Sequence, residues 1–235
     1  MAKVLRRCLL AAGALSFLLA GSGWAGENGP AGWWKFDEGQ GIIAKDSSGK
    51  GNDGRITGAE YVKVNNGFAL KFNGAGSCVT VANNPGLNFG AGAFTVMAWV
   101  KVPLVPKQWQ NIVDKRQNKG GKGFDFQISE GGAPALEVND GSYGIAYGKA
   151  KVPSDTWCHL AVVCDRETDT LFYLNGKQAG LGDLSARSDS LDGASDIIIG
   201  SNRGYPVAGL IDEVRIYTRV LSAAEITKIY ESSQP

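Results

Sequence analysis

Between Phe94 and Val102 the chain alternates almost without a break. Phe94, Val96, Ala98, Val100 and Val102 fall on one side of an extended strand, and Thr95, Met97, Trp99 and Lys101 fall on the other. A period of two held this long commits the segment to a pleated strand with one face turned to a core. Further strand signals follow in short pieces: Phe68 to Phe72, Val79 to Val81, Phe124 to Ile128, Ala135 to Val138, Tyr143 to Tyr147, Trp157 to Cys164, Thr170 to Leu174, Ile197 to Ile199 and Leu210 to Tyr217. The 33 glycines lie between such runs, where turns need positive φ, and not in low-complexity sequence. Asn175-Gly176 between two strands predicts a type I′ hairpin. One helix start is legible, after the last strand. Ser222 is its N-cap, Glu225 completes a capping box, and Leu221 with Ile226 forms a hydrophobic staple. Many short strands, Gly-rich turns and a single C-terminal helix predict an all-β fold, an antiparallel two-sheet sandwich.

The N-terminus reads as a secretory leader. Lys3, Arg6 and Arg7 precede an apolar stretch from Leu9 to Ala20, and Gly23-Trp24-Ala25 offers a small-x-small cleavage site. The apolar stretch is shorter than the ~20 residues that cross a bilayer, and no later stretch could span one. An uncleaved anchor is the alternative. Cleavage gives a leader at 1–25 and one domain at 26–235, secreted, periplasmic or at the cell surface. Losing the three leader cations changes 24 basic and 23 acidic residues to a net charge of −2. Without basic runs, this argues against nucleic acid or anionic lipid as partner.

Several segments share an order with a known family. They are W-W-K-F-D-E-G from Trp33, D-S-S-G-K-G-N-D-G from Asp46, A-L-K-F-N-G from Ala69, F-T-V-M-A-W-V-K from Phe94, W-C-H-L-A-V-V-C-D from Trp157, Y-L-N-G-K from Tyr173, and I-D-E-V-R-I-Y-T-R-V-L-S-A-A-E-I from Ile211. In this the chain resembles the LamG-like (laminin G-type) domains of the concanavalin A-like lectin/glucanase superfamily, from about Ala31 to Ser232. The resemblance implies a jelly-roll arrangement of the two sheets. It leaves the ligand open, because the family includes sugar binders, protein binders and accessory domains. Cys78 stands where members often carry an aromatic residue.

Three cysteines remain after cleavage. Cys158 and Cys164 lie ~20 Å apart along one predicted strand, too far to bridge each other. Either Cys78 pairs with one of them and leaves a thiol over, or all three are buried and reduced. Family members often carry a disulfide, so the resemblance favours one bridge.

Oxygen-rich side chains in the Asp46 loop suit a hard cation, with Asp46, Asn52 and Asp53 as candidate ligands for Ca²⁺. The resemblance adds Asp212, since such sandwiches often hold Ca²⁺ between an N-terminal loop and a C-terminal strand. On strict alternation Asp212 shares a face with Val214 and Ile216. The alternative is that Asp46 and Asp53 make Asx turns and Asp212 accepts backbone N–H bonds. For catalysis, a retaining glycosidase needs two carboxyls ~5–5.5 Å apart, and adjacent Asp212 and Glu213 should point to opposite faces. His159, the single histidine, has no evident triad partners. Binding is the better reading. Trp109, Tyr143, Tyr147 and Tyr205 are candidate platforms for sugar rings, with Asn202 and Arg203 as nearby hydrogen-bond donors. Trp99 is a further candidate platform, whereas Trp33 and Trp157 are assigned to the core. The expected function is a noncatalytic module for an extracellular or cell-surface carbohydrate. An extracellular protein partner is the first alternative, and a divergent glycosidase or lyase the second.

Overall fold

A computed structural model describes residues 29–103, 108–116, 121–200 and 204–235. The leader expected at 1–25, and with it the secretory reading, lies outside the described residues, as do Asn202 and Arg203. The described chain opens with β1 (Gly32–Trp34), β2 (Ile43–Ala44), β3 (Gly54–Thr57), β4 (Glu60–Val64), β5 (Gly67–Asn73) and β6 (Cys78–Val81). It continues with β7 (Phe94–Lys101), β8 (Gln110–Asp114), β9 (Gly123–Ile128), β10 (Pro134–Asn139) and β11 (Tyr143–Tyr147). Last come β12 (Cys158–Cys164), β13 (Thr170–Leu174), β14 (Lys177–Gly182), β15 (Ile197–Ile199), β16 (Ala208–Tyr217) and the helix α1 (Ala223–Ser232).

These strands form two antiparallel sheets. The first runs β14-β13-β12-β7-β16-β5-β4, with β1 also paired to β16. The second runs β11-β10-β9-β8-β15-β6-β3-β2. The predicted alternation of β7 holds: Phe94, Val96, Ala98, Val100 and Val102 enter the main core with Phe124, Phe126, Ile128, Leu136 and Val138 from the other sheet. Each such ring or branched chain gains roughly 1.5–3 kcal/mol on leaving water. Gly200, just after β15, has φ +86°, and a Cβ there would meet the Phe72 ring at 2.2 Å, so the core closes only over a glycine.

The outer face of the first sheet has its own apolar cluster. Met97, Ala161, Val163, Tyr173 and Tyr217 pack under Leu221, Ile226 and Ile229 of the helical segment. The helix begins as its sequence predicts, with Ser222 and Glu225 in a complete capping box. Leu221 and Ile226 are both buried in that cluster. The hairpin between β13 and β14 likewise has Asn175 at φ 51° and Gly176 at φ 74°, the two positive values a type I′ turn requires.

Three expectations need correction. Trp33 and Trp157 are only half-buried, and the core tryptophan is Trp34. Trp34 pairs across to Val214 and follows its inward face, while Trp33 pairs with Arg215 and faces out. The Cys78 bridge does not form either: Cys78, Cys158 and Cys164 are all free and buried. Cys78 sits on β6 of one sheet, and the other two sit on β12 of the other sheet. The third correction concerns β16. Its register against β7 shifts between Asp212 and Arg215, a bulge with Glu213 at φ 51°. Asp212 is opposite Trp99 and therefore faces outward, away from Val214 and Ile216.

Among the described residues no helix is long and apolar enough to cross a membrane. Removing the N-cap hydroxyl with Ser222→Ala should lower stability by about 1 kcal/mol in urea titration. Arg219 hydrogen-bonds the Glu225 carboxylate and helps draw its pKa down to about 2. The stabilisation from this carboxylate is therefore complete above the ordinary value of 4.5 and is lost as pH falls toward 2.

Candidate functional site

The two outer faces of the sandwich differ. One is covered by α1, and the other, on the second sheet, carries polar side chains in register. Core-facing Phe124, Phe126 and Ile128 on β9 leave Asp125 and Gln127 pointing out, and Leu136 and Val138 on β10 do the same for Glu137 and Asn139. Residues directly opposite one another share a face, so the pairings define rows. One row is Asn111, Gln127, Ala135 and Tyr147; the next is Asp114, Asp125, Glu137 and Ile145. The β8 bulge between Asn111 and Val113 keeps both Asn111 and Asp114 on this face.

Arg116 follows Asp114 and forms ion pairs with both Asp125 and Glu137. Its own backbone N–H is anchored on Asp114 Oδ1 at 2.7 Å. Gln127 Nε2 donates to Glu137 Oε2 at 3.4 Å. Burial, followed by the Asp114 charge, pushes the Asp125 carboxyl well above the usual carboxylate range despite Arg116. The rows are deep: Asp125 is fully buried, and Asn111, Gln127 and Glu137 are nearly so. Among the described residues Asn111 Oδ1 accepts no hydrogen bond. An unmatched buried acceptor costs about 1–3 kcal/mol.

Aromatic rings stand around this floor. Tyr143 and Tyr147 project from β11 and are 57% and 47% exposed, and Tyr205 is 40% exposed. The half-buried Trp109 ring lies 6.1 Å from Tyr147 and 6.4 Å from Tyr205. The Tyr205 carbonyl accepts the Asn111 N–H at 2.9 Å, which fixes that loop beside β8. Four residues proposed from sequence as platforms thus border one surface. Trp99 does not join them. It is buried on the first sheet, with its ring centroid 5.5 Å from that of Tyr230 and likewise 5.5 Å from that of His159. Burial pushes the His159 pKa down to about 3 and holds the ring neutral.

The floor itself was not singled out from sequence. Its acids and amides look like ordinary solvated positions until register aligns them. The signal available was F-D-F-Q-I and L-E-V-N, in which every position between apolar residues is an acid or an amide.

The proposed metal ligands are arranged differently. Asp46 accepts from the Trp33 and Ser48 backbone N–H groups on Oδ1, and from Ser48 Oγ and the Asn52 backbone N–H on Oδ2. Four donors fill the acceptor positions of one carboxylate. Asp53 bonds Lys45 Nζ and the Asp46 N–H, while the Asn52 amide donates to the Ala31 carbonyl. Asp212 accepts the Glu213 N–H at 2.8 Å and, among the described residues, bonds none of the other three. Among the described residues no group of three acidic, histidine or cysteine side chains is placed to hold a metal ion. As arranged, Asp46, Asn52, Asp53 and Asp212 do not fit Ca²⁺; the bonds are those of Asx turns and a backbone acceptor.

The β16 bulge also brings Asp212 and Glu213 to one groove of about 420 Å³, shared with Asp37 and Glu231, and not to opposite faces. Glu213 is engaged: its Oε2 accepts from Trp33 Nε1 and Arg215 Nη2, both at 2.7 Å. Asp212 is buried, and desolvation, helped by the Glu213 charge, raises its pKa from 3.8 to about 8. Between these values the folded chain holds a proton that the unfolded chain has released, so stability falls as pH rises through that window. Asp212→Asn keeps the acceptor for the Glu213 N–H. It should stabilise the fold by about 2 kcal/mol at pH 8 and by little at pH 4, read from urea midpoints at the two pH values.

Comparison with known proteins agrees with this architecture. The sequence model of the laminin G family described as the concanavalin A-like lectin/glucanases superfamily matches residues 73–227. No curated protein matches the chain. Among solved structures, the binding domain of Paraclostridial Mosquitocidal Protein 1 superposes with a TM-score of 0.73 at 20% identity, over 88% of this chain and 52% of that one. The binding domain of botulinum neurotoxin DC, solved with rat synaptotagmin II, gives 0.70 at 16% identity, over 88% and 52%. The ligand-binding domain of botulinum neurotoxin serotype D, solved with N-acetylneuraminic acid, gives 0.68 at 14% identity, over 87% and 51%. The chain spans about half the length of these structures, and at such identities the likeness is one of fold.

Proposed function

The chain belongs to the concanavalin A-like lectin/glucanase superfamily of laminin G-type domains, and from that premise we propose that it is a noncatalytic module that binds an extracellular or cell-surface carbohydrate. The observation that carries this reading is the convergence of Trp109, Tyr147 and Tyr205 beside rows of buried acids and amides. Sugar rings present apolar C–H faces and polar edges, so a ligand can stack on the aromatic rim while its hydroxyls reach the floor. The noncatalytic part is supported by Arg116, which ties Asp125 and Glu137 together and leaves neither as an independent base or nucleophile. The leader-like N-terminus supports a site of action outside the cytoplasm. Calcium has no part in this scheme.

A protein partner is the second reading. Ile42 and Ile43 are 60% and 40% exposed beside and on β2, the edge strand of the second sheet, where an extended segment could add. The neurotoxin DC domain, of the same fold, was solved in complex with a protein, rat synaptotagmin II.

Retention of the chain from Gly26 to Pro235 on immobilised polysaccharides, with Ca²⁺ and with chelator, separates these readings. Selective retention without release of sugar, equal in both buffers, is the expected result. Trp109→Ala and Tyr147→Ala should each weaken retention about tenfold, near 1.4 kcal/mol, with an unchanged thermal midpoint. No retention on any polymer would overturn the carbohydrate reading and favour the β2 edge.

A further inference from the structure

The chemistry of the floor narrows the kind of sugar it can take, an argument that rests on the carbohydrate reading above. Three carboxyls, Asp114, Asp125 and Glu137, lie side by side across β8, β9 and β10. The guanidinium at the floor, from Arg116, is engaged by Asp125 and Glu137. The adjacent ammonium is directed elsewhere: Lys115 Nζ donates to Asn83 Oδ1 at 2.8 Å and to the Ser195 carbonyl at 3.0 Å. Among the described residues the floor is therefore rich in acceptors, and its neighbouring cations already have anionic or carbonyl partners.

One buried atom there calls for a donor. Asn111 is 3% exposed, and among the described residues its Oδ1 accepts no hydrogen bond. Asp125, fully buried in the adjacent row, has partners of its own in Arg116 and the Asp114 side chain. A buried acceptor without a donor is unfavourable, and a ligand hydroxyl placed against it removes the deficit. A ligand carboxylate or sulfate would bring further acceptors and a like charge against Asp114 and Glu137, in a setting where water screens weakly.

We infer that this face selects uncharged sugars, bound through hydroxyl donors to Asn111 and the Asp114–Asp125–Glu137 row, and turns away sugars that carry carboxylate or sulfate groups. The Tyr143, Tyr147 and Trp109 rings give stacking to either kind, so discrimination lies in the floor.

The test uses the chain from Gly26 to Pro235 and one backbone in two charge states. The probe is whichever neutral polysaccharide retains the protein, together with the same polymer oxidised at C6 to the uronate. The oxidised form should bind at least about tenfold more weakly, and the gap should narrow as salt rises from about 50 to about 500 mM and screens the repulsion. Asp114→Asn keeps the acceptor for the Arg116 N–H and should narrow the gap at low salt. Asn111→Ala, which leaves the ion pairs in place, should weaken the neutral polymer about tenfold. Equal or tighter binding of the oxidised polymer would overturn the selectivity while the carbohydrate reading stands. So would a gap that Asp114→Asn leaves unchanged in a folded protein, or unchanged neutral binding in Asn111→Ala. Failure of every neutral and oxidised polymer to bind would end the carbohydrate reading and this inference with it.

Discussion

Strand β16 occupies a position that other elements depend on. It pairs with β1, β5 and β7, and so joins the N-terminal strand to the middle of the first sheet. Inward-facing Ile211, Val214 and Ile216 can all reach the core only because one extra residue is inserted between them. That residue gives the Glu213 bulge, which aims Asp212 outward and places Glu213 where Trp33 and Arg215 can hold it. The Arg215 guanidinium in turn lies 4.2 Å from the centre of the Trp33 ring. Core packing, a strained φ and a buried acid with a raised pKa are thus consequences of one register shift. The acid is tolerated because it can stay protonated in a setting that would penalise its anion.

Much of this fold was legible in the sequence, and the legible parts were local. Alternation in β7, the Asn175-Gly176 turn and the Ser222–Glu225 box each depend on residues a few positions apart. Errors appear where a side chain's direction depends on a distant strand. Trp33 and Trp34 are equally apolar, and only pairing with Arg215 and Val214 decides which enters the core. Glu213 at positive φ is not a glycine, so nothing in the letters marks the bulge that reverses Asp212. The cysteines were ambiguous for the same reason, since bridging depends on where β6 lies relative to β12.

The candidate site divides along the same line. Its aromatic rim was readable because Trp109 and Tyr205 stand in polar loops, where a large ring has less reason to be core. Its floor was not, because Asp114, Asp125 and Glu137 belong to three strands and meet only through register. In an ordinary half-buried strand the outward positions are solvated. Here they are buried as well, on a sheet face that no helix covers among the described residues, and buried polar groups need partners.

That combination bears on the choice between binding and catalysis. Neighbouring carboxyls, one of them with a raised pKa, are a common basis for acid–base chemistry, and Asp125 beside Asp114 has this character. The neighbouring guanidinium alters what the pair can do. Arg116 pairs with both Asp125 and Glu137 and holds them to each other, which opposes the independent motion that a glycosidase acid and its nucleophile require. A fixed, acceptor-rich floor is better suited to recognising hydroxyls in place than to breaking the bond between two sugars. The aromatic rim then supplies affinity, and the floor decides which ligands can use it.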